Sequence, residues 1–114
     1  MKPTSNPNPS PTERIRALND AFRQTLTGGK FLVTRGVMAN DQVPRVLAAV
    51  TAFDAFTMDN DPHDEHDFGA FEVDGVRHFW KIDYYALDEQ HGSPDPADPA
   101  VTVRVLTIML ADEY

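Results

Sequence analysis

The chain is 114 residues long with no cysteine, and its 18 Asp and Glu outnumber 10 Lys and Arg for a formal net charge of −8. Such a length suits one domain with a modest core, and the missing cysteines exclude disulfides, thiolate metal sites and cysteine nucleophiles. The acidic surplus opposes direct contact with nucleic acid, where affinity depends on Lys and Arg displacing counterions, and no apolar run approaches the roughly 20 residues that span a bilayer.

"MKPTSNPNPSP" opens the chain with four prolines and nothing to bury, so residues 1–11 are expected to be a disordered tail and residues 12–114 one folded domain. The segment lacks a basic start followed by an apolar core, so no secretory signal is expected and the cytoplasm is the expected compartment. In "SPTERIRALNDAFRQTLTGG", Ser10, Pro11 and Glu13 occupy the cap, first and third positions of a capping box. Ile15, Leu18, Phe22 and Leu26 then share one helical face, with Gly28 and Gly29 as the stop.

"KFLVTRGV" reads as a short strand carrying Phe31, Leu32 and Val33, leading straight into a second helix. There Asp41 is the expected N-cap, Pro44 sits in the first turn, and Val43, Val46, Leu47, Val50 and Phe53 form the apolar stripe. Beyond an acidic run, "FGAFEVDGVRHFWKIDYY" reads as two strands joined by Asp74 and Gly75, the pair favoured in type I′ turns. Alternation puts Val76, His78, Trp80, Ile82 and Tyr84 on the core face and Phe79 and Tyr85 on the other. A proline-rich loop follows, and Asp98 with Pro99 signals a last helix lined by Val101, Val105, Ile108 and Met109. The expected architecture is α+β: an antiparallel sheet of about three strands with three helices, in the order helix, strand, helix, hairpin, helix.

The stretches "LNDAFRQTLTGG", "VTAFDAFTMDNDPHDEHDFGAFEVDG", "FWKIDYY" and "SPDPADPAVTVRVLTIMLADEY" make the chain resemble a family of small uncharacterised alphaproteobacterial proteins, domain of unknown function 3768. The likeness runs over residues 13–114. It implies a setting on plasmids and other mobile elements, where small acidic proteins include inhibitors of host defence. The family pattern implies a Tyr-Gly pair where this chain has His63 and Asp64, which makes His63 a poor candidate for an indispensable ligand.

"MDNDPHDEHDFGAFE" concentrates the chemistry. Asp61, His66 and Asp67, with His78 from the hairpin, are the candidate ligands of a divalent metal, the one cofactor the run suggests. The run has neither the glycine and closing glutamate of a calcium loop nor a helical H-E-x-x-H frame. Acid and base work by His66, Asp67, His78 and Asp83 lacks a recognisable nucleophile, and no catalytic residue is assigned. A plain loop, with Asp and Asn bonding nearby amides around Pro62, is the leading single reading of the run. Docking on a basic protein surface is the third reading, through Asp59, Asp61, Asp64, Glu65 and Asp67 with Asp88 and Glu89 of the next loop. Charge and resemblance together point to a non-enzymatic acidic protein-binding domain, an anti-CRISPR or antirestriction inhibitor that mimics nucleic acid on a nuclease. The alternatives are a metal-dependent enzyme using the loop and a homodimer through the sheet face of Phe79 and Tyr85.

Overall fold

The capping box forms as its spacing requires. In a computed structural model that describes residues 8–114, the Ser10 hydroxyl accepts the Glu13 amide at 3.1 Å and the Glu13 carboxylate accepts the Ser10 amide at 2.8 Å. Helix α1 runs Pro11–Thr25 and stops one turn short of the glycines, because Leu26 takes the left-handed cap conformation at φ 56°. Most of the expected disordered tail lies outside the described residues.

Strand β1 (Lys30–Val33) leads into a short helix α2 (Arg35–Ala39) that the sequence reading did not contain, and then into α3 (Val43–Thr51). Asp41 is not the N-cap of α3: it sits at φ 56° ahead of Gln42, whose side chain caps nothing. Pro44 does lie in the first turn. Strands β2 (Phe68–Val73) and β3 (Val76–Tyr85) make the expected hairpin, with both turn residues in left-handed space at φ 52° for Asp74 and 77° for Gly75. Left-handed conformations at both central positions define the type I′ turn, whose twist matches the strands it joins.

The expected last helix is a strand. Asp98 and Pro99 open only a single 3-10 turn (Pro99–Val101), its first amide capped by Asp98, and the chain then extends as β4 (Val103–Leu110). β4 is central, with β3 antiparallel on one side and β1 parallel on the other, so the sheet has four strands of mixed direction in the order β1-β4-β3-β2 rather than three antiparallel ones.

Register puts Trp80 opposite Ile108 and Ile82 opposite Leu106. These four side chains pack with Phe22 of α1, Val37 of α2, Val46 and Val50 of α3 and Phe53, so the three α-helices share one face of the sheet. The opposite face carries Phe68, Phe79, Lys81, Tyr85, Val105 and Met109, and the C-terminal turn (Ala111–Glu113) brings Tyr114 to 6.2 Å from Phe68 and 5.4 Å from Phe79. Among the described residues no helix is long and apolar enough to cross a membrane.

Among the described residues, Arg23 and Asn19 are the polar side chains buried most deeply in the apolar layer. Arg23 is 1% exposed and its guanidinium donates to the carbonyls of Val50 (3.2 Å) and Phe53 (2.9 Å), at the negative end of α3. Its charge also lies over the rings of Phe56 and Trp80 and pairs with Asp20 at 3.1 Å. Asn19, fully buried, donates to the Glu65 carbonyl and the Tyr84 hydroxyl and accepts from Arg104. These contacts tie α1 to the acidic loop and fix that loop at the end of the sheet away from the hairpin turn.

Candidate functional site

The acidic run folds around Asp61, whose Oδ1 accepts the amides of Glu65 and His66, each at 3.1 Å. Those bonds hold a backbone in which Asp64 (φ 57°) and His66 (φ 56°) are both left-handed, a strain of about 1–2 kcal/mol per residue. The loop is thus built on carboxylate-to-amide bonds, and the same loop presents a chemical group.

His66 is held on three sides. Its ring stacks on Phe56 at 3.7 Å and 1°, and its Nδ1 lies 2.8 Å from Asp20 Oδ1. An ionised carboxylate only accepts, so Nδ1 carries the hydrogen and, in the neutral ring, Nε2 keeps its lone pair. Nε2 points toward Asp61 Oδ2 at 3.6 Å. Ligand atoms of Asp61, Asp64 and His66 all lie within 4.8 Å of one another. Two donors on one ion at about 2.1 Å stand roughly 3.0–3.4 Å apart, so small side-chain rotations bring this set onto a cation. Asp20 in turn is anchored by Arg23, a carboxylate-imidazole relay of the kind that orients metal-binding histidines.

The three groups face a pocket of about 550 Å³ that Phe56, Thr57, Met58 and Pro62 complete. At its edge Arg16 holds Asp64 through a 2.8 Å ion pair and donates to the Asp64 carbonyl. Behind it Glu65 accepts a 2.8 Å bond from Tyr84, and burial pushes the Tyr84 hydroxyl far above its usual pKa.

Two expected ligands fall elsewhere. His78 lies toward the hairpin turn, stacked on Phe71 and donating from Nδ1 to the Val76 carbonyl, with Trp80 and Ile82 between it and the loop. Asp67 is half-buried and outside the set of three, its carboxyl raised above the usual range by burial and then by the charge of Glu65. Asp64 takes the place that spacing assigned to Asp67. Asp20, Asn19, Arg23 and Arg104 do not figure in the sequence analysis, where Tyr84 stands only as a core-face residue of the hairpin. The available signal was the buried stripe of α1 itself, since Asn19 and Arg23 follow Ile15 at four-residue intervals among apolar positions.

The expected docking carboxylates are largely turned to other work. Asp61 is 6% exposed and presents no surface charge, a correction to its place in a docking row. Glu65 is half-buried against Tyr84, and Glu89 pairs with Lys30. Asp88 caps Gln90 and His91, and those bonds hold its carboxyl below the usual range. Asp59 is exposed. Phe79 and Tyr85 are half-buried on the sheet face away from the helices.

Fold and site define a small α+β domain with a carboxylate-imidazole pocket at one end of a mixed sheet. The chain belongs to the family of proteins of unknown function DUF3768, whose model matches residues 33–113. That span includes the loop and the sheet from Val33 onward and leaves out α1, which supplies Asp20. No curated protein and no solved structure matches the chain.

Proposed function

We propose that the chain is a divalent-cation-binding domain, with the ion held by Asp61, Asp64 and His66. The observation that carries this reading is the Asp20 to His66 bond, which leaves Nε2 as a donor beside two carboxylates at the mouth of a pocket. Mixed imidazole and carboxylate donors suit manganese or zinc better than calcium, which prefers oxygen alone. Calorimetric titration of EDTA-treated protein with Mn²⁺ and Zn²⁺ tests it: one ion per chain is expected, lost in His66→Ala and weakened about 10-fold in Asp20→Asn, whose side chain is a poorer base toward Nδ1–H. Absence of uptake by the native chain overturns the reading.

A second reading is docking on a basic protein surface, such as the nucleic-acid channel of a defence nuclease met by a mobile-element inhibitor. It is favoured by the convergence of two acidic loops: the chain of bonds through Asn19, Tyr84 and Arg104 links residues 59–67 to Pro96 of the 86–102 loop. Charge reversal at the exposed Asp59 and Asp88 abolishes capture of such a partner if this reading holds and leaves it intact if not. Self-association is a third reading, supported by Leu32, which is 56% exposed in register with Thr107 and Lys81 on the helix-free face. Sedimentation over a range of concentrations decides it.

A further inference from the structure

The pocket is far larger than the ion. A cation and one water need tens of Å³, whereas about 550 Å³ is open here, within the range of small-molecule sites. Three protein donors leave a six-coordinate ion with open positions facing that space. The remaining lining is apolar apart from Thr57: Phe56 backs the imidazole, Pro62 adds a rigid ring, and Met58 stands 88% exposed at the mouth. A methionine left this bare on a pocket rim is a flexible apolar surface with nothing of its own chain to cover it.

Charge sets the class of occupant. Without an ion, Asp61 and Asp64 repel an anion. With a dication in place their charges are cancelled, and Arg16, ion-paired to Asp64 at the rim, adds one positive charge. Resting on the cation reading above, we infer that the pocket takes a small organic carboxylate with a flat apolar body, its carboxylate on the open positions of the ion and its body against Phe56, Pro62 and Met58. The same geometry disfavours inorganic anions, which would leave the apolar wall wet.

Calorimetry on the full chain with Mn²⁺, benzoate and acetate separates the two levels. Mn²⁺ alone is titrated first, and no uptake removes the cation reading and this inference with it. Given uptake, benzoate is expected to bind the Mn²⁺-loaded protein at least 10-fold more tightly than the EDTA-treated protein and more tightly than acetate. Met58→Ser is expected to weaken benzoate several-fold while Mn²⁺ affinity stays unchanged. Mn²⁺ uptake with benzoate no better than acetate, or benzoate binding that ignores Mn²⁺ or Met58, overturns the inference and leaves the cation reading standing.

Discussion

Replacing Arg23 with methionine removes a buried charge while keeping most of the side-chain volume, so the loss it causes is electrostatic and not a cavity. Arg23 is 1% exposed, so its bonds to Val50, Phe53 and Asp20 are not weakened by water or salt. Withdrawing the guanidinium leaves the Phe53 carbonyl without its side-chain donor in an apolar layer, while Asp20, whose side chain is 30% exposed, keeps its bond to His66. Leaving a buried acceptor unsatisfied costs about 1–3 kcal/mol. In a domain of this size that lowers Tm on the order of 10 °C. The control is Arg16→Met: its pair with Asp64 has side-chain exposures of 29% and 68%, and such a surface bridge is worth under about 1 kcal/mol. Urea unfolding of both variants beside the native chain gives the two numbers. A loss for Arg23→Met no larger than that for Arg16→Met refutes the reasoning, because burial would then add nothing to the value of the charge.

Gly69→Ala is expected to destabilise by about 1–3 kcal/mol, since an added Cβ would come within 2.3 Å of the fully buried Trp80 indole nitrogen and 2.8 Å of Phe53; an unchanged urea midpoint contradicts this. Asp67→Asn is expected to raise Tm at pH 7. The folded carboxyl titrates above its usual 3.8, so the stability Asp67 contributes is complete below that value and is lost as pH rises through the folded pKa. Asn stays neutral throughout, so its advantage disappears near pH 3, and melts at the two pH values read the difference.

The start of α1 and the hairpin were legible because each rests on local chemistry. Ser10 and Glu13 satisfy one another within a turn, and Asp74 with Gly75 supplies two left-handed positions that few other pairs accept. β4 was misread because Val101, Val105, Ile108 and Met109 also fit helical spacing and Asp98 with Pro99 imitates a helix start. β4 buries Arg104, Leu106 and Ile108 under the helices, yet its other face carries the apolar Val103, Val105 and Met109, so the residues give no clean polar alternation. The contrary signal was the β-branched run of Val103, Val105, Thr107 and Ile108. At the site, the loop's own Asp61 and His66 were visible in the sequence. Asp20, which orients His66, lies 46 positions away and becomes its neighbour only when α1 packs across the loop.

The most direct measurement is a thermal melt of EDTA-treated protein with and without Mn²⁺ or Zn²⁺ at about 100 times the dissociation constant, where binding adds about 2.7 kcal/mol. The account predicts a rise in Tm on the order of 10 °C, absent in His66→Ala and reduced in Asp64→Asn, whose exposed side chain is dispensable for folding. No rise with either ion, or an equal rise in both variants, contradicts a cation held by Asp61, Asp64 and His66.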